Sequence, residues 1–237
     1  MTTVAAEKTG HAYVDQLEEI RAEYRSQFPR NSKRRTREEG AAGKRRSLLG
    51  GSFNHTFAGE QYLNCPVKSV RRMQLQKLMD ENGQTNWGGR VIDHPTLARW
   101  EAKGYGLTDA EIRELEKADY TPDELIHRGW RTWMCRHENF AVAIGTSYVG
   151  EGETYLRMHN HRAEVQAELD ELRAQFTSWG VENVDEAVAN AVEHALADED
   201  HGLFNQNVIR EHVNTPELKE EMRKAFILRV HSYMGLF

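Results

Sequence analysis

Apolar residues return at helical spacing through most of this chain, and no stretch of useful length alternates apolar with polar. Such a pattern calls for helices that each bury one stripe, so the fold has to be helix packed on helix. Tyr13, Leu17, Ile20 and Tyr24 mark the first helix, over 11–27. Thr36 with Glu39 makes a capping box that opens a helix running toward residue 62. Cys65-Pro66 breaks the chain, and Ser69 caps a helix carrying Met73, Leu75, Leu78 and Met79. Asn82-Gly83 ends that helix, and GQTNWGG reads as a loop. A short helix is expected over 93–103, a second capping box at Thr108 and Glu111, and a further helix start at Thr121-Pro122. Residues 137–178 are helical in pattern, with Gly150 and Gly152 as places to bend or break and Gly180 as the stop. Helices over 184–203 and from Thr215-Pro216-Glu217 complete an all-α fold, read as one domain over 1–237 with 1–10 as a flexible lead.

Composition narrows the class. The mean hydropathy is −0.74 and no apolar run approaches the roughly 20 residues of a membrane span. The opening MTTVAAEKTGHAYVDQLEE has no apolar segment of a secretory signal, and two cysteines, Cys65 and Cys135, make no disulfide framework. These features lead to the expectation of a soluble, cytoplasmic protein with no membrane partner. The net charge of −6 is unevenly spread. Residues 30–46 carry eight Arg or Lys against two Glu, whereas 181–202 carry seven acids and no Lys or Arg. No aromatic residues interleave with the basic run, so it reads as a solvated segment or a patch for an acidic substrate rather than a nucleic-acid footprint.

Inside the acidic stretch, His194, Asp198 and His201 stand at i, i+4 and i+7, on one narrow helix face. Ala187, Asn190 and Ala191 share that face and leave room beside it, while Val184, Val188, Val192 and Leu196 can pack into the core. Two imidazoles with a carboxylate suit iron or manganese better than structural zinc. An ordinary exposed polar face explains HxxxDxxH alone about equally well. A site for two metals needs further ligands from facing helices. Glu81, at a helix end, and His94, in DHP, are candidates. Glu164 stands 16 residues before Gly180 and His194 stands 14 after it, so an antiparallel hairpin would bring the two level. Glu153, beyond the apolar segment AVAIGTSYVG, is the rival, and periodicity does not choose between them.

The run NCPVKSVRRMQLQKLMDENG, followed by DHPTLARWEAKGYGLTDAEI and closed by HALADEDHGLF, resembles the haem-oxygenase-like superfamily. Within it the chain is similar to pyrroloquinoline-quinone synthase and to the haem-oxygenase-like diiron oxidases and oxygenases. The resemblance covers about 36–115 and 184–205 and implies a helical bundle of about seven helices. It implies two iron ions, Fe(II) or Fe(III), with manganese possible at one position, and O₂ as co-substrate. The ligands and catalytic groups it implies are Glu81, His94, His194, Asp198 and His201, with Glu153 or Glu164 as the bridging carboxylate. The cofactor-free quinone synthases lack this ligand set, so its presence argues for the metal-dependent branch. His55 lies near where some members place an extra ligand.

The expected activity is therefore that of a non-haem diiron oxidase or oxygenase acting on a small amino-acid-like or amine-like metabolite in specialised biosynthesis, with a homodimer among the assemblies open to it. Arg71, Arg72 and the basic run are candidates to meet carboxylate groups. His127, Arg131, His137, His159 and His161 are candidates to line a cavity. A ferritin-like variant would pair Glu124-x-x-His127 with Asp198-x-x-His201, completed by Glu81 and Glu164. The competing classes are a cofactor-free oxidase or cyclase using the histidines as acid and base, and a non-catalytic module binding through the basic segment.

Overall fold

The computed structural model describes residues 9–27, 36–51, 54–81, 83, 85–87 and 89–233, with the side chains of 54–56, 81, 85, 86, 197, 198 and 233 left aside. Most of the expected flexible lead and the start of the basic run fall outside these residues.

Eleven helices form the described chain: α1 Ala12–Gln27, α2 Arg37–Leu48, α3 Asn54–Asn64, α4 Lys68–Glu81, α5 His94–Gly104, α6 Asp109–Lys117, α7 Pro122–Arg136, α8 Phe140–Asn160, α9 Arg162–Ser178, α10 Val184–His212 and α11 Pro216–Tyr233. The all-α expectation holds; two of the nine helical stretches read from the sequence are split, which gives the eleven among the described residues, against the seven that the resemblance implies. The expected helix toward residue 62 stops at Gly50 and Gly51, whose φ of 67° and 82° lie in the left-handed region. A Cβ on Gly50 would sit 2.1 Å from the Tyr120 ring, so the turn also needs glycine for space. Residues 137–178 are split as well, but not at Gly150 or Gly152, which run through α8. The break is at His161, which leaves helical geometry with φ −134°. The GQTNWGG segment, expected as a loop, supplies the first strand of a short antiparallel hairpin, β1 Thr85–Trp87, which pairs with β2 Arg90–Ile92 just after it in the register Thr85↔Ile92 and Trp87↔Arg90. Gly89, at φ 78°, turns it.

Start signals act as the side-chain chemistry requires, except at Ser69, which is not a cap: α4 already begins at Lys68, and the Ser69 hydroxyl instead meets His212 Nε2 at 3.0 Å. Thr36 with Glu39 and Thr108 with Glu111 form full capping boxes, and Thr121 accepts the Glu124 amide ahead of Pro122. Asp93 caps α5 by accepting the Thr96 amide at 2.8 Å.

Two apolar cores hold the bundle. One joins α1, α8, α10 and α11 through Leu17, Ile144, Tyr148, Ile209, Met222 and Phe226. The other joins α2, α5, α6, α9 and the start of α10 through Leu48, Ala102, Tyr105, Ile112, Phe176 and Val188. Each fully buried large side chain contributes about 1.5–3 kcal/mol, so either core anchors its end of α10 firmly. Gly145 permits the close approach of α8 and α11, since a Cβ there would lie 2.9 Å from the Met222 carbonyl oxygen. No helix among the described residues is long and apolar enough to cross a membrane.

Candidate functional site

Helix α10 runs from one core into the other, and its polar middle lies between them. Val188 is sealed in the second core, Val208 and Ile209 in the first, and His194 and His201 fall in the interval. Helix α8 crosses this interval closely because residue 202 is glycine. A Cβ on Gly202 would stand 2.3 Å from the Glu151 carbonyl oxygen and 2.4 Å from the Tyr155 Cβ. The contact sets Glu151 beside α10, where the Asn205 amide donates to its carboxylate at 2.6 Å. The Lys77 ammonium, from α4, pairs with the other Glu151 oxygen.

His94 is the first residue of α5, fixed by the Asp93 cap and buried. Its ring stacks on that of His194, with centroids 5.0 Å apart and planes inclined by 20°. His194 Nδ1 lies 2.7 Å from the Asn190 carbonyl oxygen. A carbonyl only accepts, so Nδ1 carries the proton and the neutral ring keeps its lone pair on Nε2, the tautomer of a metal-ligating or proton-accepting imidazole. His201, buried, places Nε2 3.1 Å from Asp80 Oδ2, and Gln76 donates to the other Asp80 oxygen at 2.9 Å. One turn from His194, Asn190 donates to the buried carboxylate of Glu101, which also pairs with Lys44 of α2.

His194 faces two adjoining cavities, of about 440 and 230 Å³, which share Phe57, Arg131 and His194 as walls. The larger one, between α2, α5, α7 and α10, also takes His94, His127 and Glu124. The smaller is walled on the α8 side by Ser147, Gly150, Glu151 and Thr154. Arg131 lies over the Phe57 ring, 3.9 Å from its centroid, so a cation–π contact aims it at the common wall. Burial, with Arg229 and Arg131 beside it, holds the His127 pKa below the ordinary histidine value. His127 Nδ1 is 3.2 Å from the Ser232 hydroxyl.

Neither a known family model nor a curated protein matches this chain.

The structure brings some expected residues together and separates others. His94, His194 and the Asp80-bound His201 gather along the middle of α10. Glu81 closes α4 next to Asp80, and Asp198 lies in α10 between the two histidines, but both side chains lie outside the described ones, as does that of His55. Glu153 is turned away: Arg25 of α1 donates to both its oxygens, at 3.1 and 2.9 Å. Glu164 is exposed on α9 and pairs with His161 at 3.3 Å. The hairpin does bring these levels together, since Val165 packs on Ala195, but the phase of α9 turns Val165 inward and Glu164 out. Leu196, expected in the core, is 49% exposed. Arg71 holds the Cys65 carbonyl at 2.9 Å and is not a cavity residue.

Glu151 is the carboxylate that sequence reasoning missed. Its signal was present: Ser147, Gly150, Glu151 and Thr154 make a small, polar stripe at i, i+3, i+4 and i+7 on an otherwise apolar helix.

Among the described residues, no three His, Cys, Asp or Glu side chains close on a single point as metal ligands. The donors present are nonetheless of the kind that iron and manganese take. Three imidazoles and two carboxylates lie along α10, and both cysteines are buried with burial pushing their thiol pKa values up.

Proposed function

We propose that this chain is a non-haem dimetal oxidoreductase of haem-oxygenase-like architecture, which uses O₂ to oxidise a small molecule held in the cavities beside α10. The observation that supports it best is the gathering of His94, His194, His201 and Asp80 along one stretch of α10, with a cavity on the same side. In this reading His94, His194 and His201 would hold the metals, with Glu81 and Asp198 as carboxylates and Glu151 in the place first given to Glu153 or Glu164. Iron bound there would supply electrons to O₂ and draw them from the substrate. The chain's own groups have separate tasks. The Asn190 carbonyl fixes the tautomer of His194. Asn205 and Lys77 hold the Glu151 carboxylate in one orientation. The two cores on either side keep the helix in register and limit entry of water to the cavity mouth.

A second reading draws on a specific observation: half-buried Glu151 and buried Glu101, both near the cavities, each already carry a lysine ammonium, Lys77 and Lys44. In that reading the protein needs no metal, and His94 and His194 serve as acid and base for a cofactor-free oxidation.

Anaerobic titration of the metal-free protein with Fe(II) distinguishes the two. The dimetal reading expects about two irons per chain and oxygen uptake once air is admitted, with both lost in His194→Ala and Asp198→Ala. Absence of bound iron overturns it and leaves the cofactor-free enzyme.

A further inference from the structure

Helix α7 has two unlike faces. Its inner side is sealed: Met134 and Cys135 are buried, Trp130 packs on Ala225 of α11, and His127 and Arg131 line the larger cavity. Its outer side carries Leu125, Ile126 and Trp133, which are 57%, 71% and 57% exposed. Gly129 stands between them, exposed, and a Cβ placed there would meet no atom within 4 Å. Glycine in mid-helix weakens the helix, and no neighbour in this chain packs into the space it leaves. At about 100° per residue, Pro122, Leu125, Ile126, Trp133 and Arg136 all fall within about 60° of Gly129 around the helix. The stripe is nearly symmetric in position, since Ile126 precedes Gly129 by about 4.5 Å along the axis and Trp133 follows it by about 6 Å. Its ends are opposite in charge. Exposed Asp119 and Asp123 flank the start of α7, and Arg136, which also pairs with Glu60 of α3, keeps a 60% exposed side chain at its finish.

From this pattern we propose that the outer face of α7 joins two copies of this chain, paired antiparallel about a two-fold axis at Gly129. Turned end for end, the stripe fits itself. Ile126 meets the partner's Trp133, and the acids at one end of α7 lie beside the partner's Arg136. A two-fold contact uses the same patch on both copies, so each apolar pair occurs twice. A parallel pair would set like charges together and align the two helix dipoles, so charge selects the direction while Trp133 and Ile126 supply the buried area. Gly129 on the axis lets the helices reach the near end of the usual spacing of about 8–10 Å. Leu63, 70% exposed and one turn beyond Glu60 on α3, extends the apolar surface past the end of α7. The 15 residues of α7 span about 22 Å, a seam at the small end of specific contacts, so the pair should form with a dissociation constant of about 1–100 µM. Nothing in this proposal rests on the metal reading.

The test is analytical ultracentrifugation of the full-length protein across the micromolar to millimolar range. The expected result is a reversible monomer–dimer equilibrium. Gly129→Lys puts a long charged side chain on the axis while improving helix propensity, so the chain stays folded and the dissociation constant should rise about 100-fold or more. Ile126→Glu should act in the same direction. Val91→Glu, at an apolar position of β2 that is 73% exposed, should leave the equilibrium unchanged. Oxidative crosslinking reads the direction, and both native cysteines are buried. In Gly129→Cys the two Cα atoms at the axis come within the roughly 7 Å a disulfide spans, so covalent dimers should form. In Ile126→Cys alone the two sites are about 9 Å apart along the seam and should not crosslink, whereas a mixture of Ile126→Cys and Trp133→Cys chains should. A chain that stays monomeric throughout, a dimer indifferent to Gly129→Lys, a dimer lost equally in Val91→Glu, or self-crosslinking of Ile126→Cys as ready as that of Gly129→Cys overturns the proposal.

Discussion

Two glycine-to-alanine substitutions, one in α10 and one in α7, should move stability in opposite directions. Gly202→Ala adds a methyl group 2.3 Å from the Glu151 carbonyl oxygen and 2.4 Å from the Tyr155 Cβ, where ordinary contact begins near 3.4 Å. Neither obstacle is the end of a flexible side chain, so α8 and α10 must part by about 1 Å across a close-packed seam. Overpacking of this kind costs about 1–3 kcal/mol, and alanine's helix propensity returns about 1 kcal/mol of it. Gly129→Ala meets nothing within 4 Å on the exposed face of α7 and keeps the propensity gain alone. The two variants should thus differ by about 2 kcal/mol, which for a domain of this size is about 4–8 °C in Tm. Urea denaturation followed by circular dichroism reads the free energies, and thermal melts give the order. Gly202→Ala should also weaken iron binding, because the seam carries Glu151. Equal stabilisation by both substitutions would refute the close approach of α8 to α10 and with it the placement of Glu151.

Other expectations follow from single contacts. Tyr148→Phe removes the hydroxyl that donates to buried Glu18 at 2.7 Å and accepts from Gln206 at 3.1 Å, and should cost about 1–3 kcal/mol in chemical denaturation. Glu153→Gln should lower stability through its contact with Arg25 while leaving iron stoichiometry intact, whereas Glu151→Gln should lower iron stoichiometry; equal metal loss in both would restore Glu153 as a ligand. His127 titrates below its unfolded value, so near its ordinary pKa of 6.5 the unfolded chain binds more protons than the folded one. Stability is then full above that pH and falls as the solution is acidified from there through the folded pKa. His127→Asn should flatten that part of the pH profile, and the ring resonances of His127 in NMR should move only at a pH below the ordinary histidine range.

The sequence made the helices legible because period and caps are local properties. Thr36 with Glu39, Thr108 with Glu111, and Thr121-Pro122 all start helices by the contacts their spacing implied. The stop at His161 was hidden, because Asn160-His161-Arg162 contains neither Gly nor Pro and its break depends on how α8 and α9 pack. Conversely, Gly150 and Gly152 look like breaks but sit inside a helix, and Gly145 in the same helix serves close packing. Within the site, HxxxDxxH put His194 and His201 on one face of one helix, a purely local deduction. That His94 stacks on His194 required the global fold, since nothing in either sequence neighbourhood specifies the other. The bridging carboxylate was sought by level along a hairpin, and level was the easier half of the problem. Val165 does meet Ala195, yet one residue of phase separates an inward valine from an exposed glutamate. Glu151 differs from Glu153 by two residues, about 200° around α8, which turns one toward α10 and the other toward Arg25.

The two ends of α10 are each gripped by a separate core, and this has a consequence for how the gene can vary. Inserting or deleting one residue between Val188 and Val208 would rotate one end against the other by about 100° and slide it by about 1.5 Å, so one core or the other would have to expose its apolar stripe. Insertions are absorbed far more easily at the turns that bound this helix, before Val184 and after Val213, or in the loop leading to His94. Among diverged copies of this chain, the count of residues from Val188 to Val208 should therefore stay constant while side chains within it drift. The chain length between the cores acts as a ruler, one that keeps His194 and His201 at a set height even where their neighbours are exchanged.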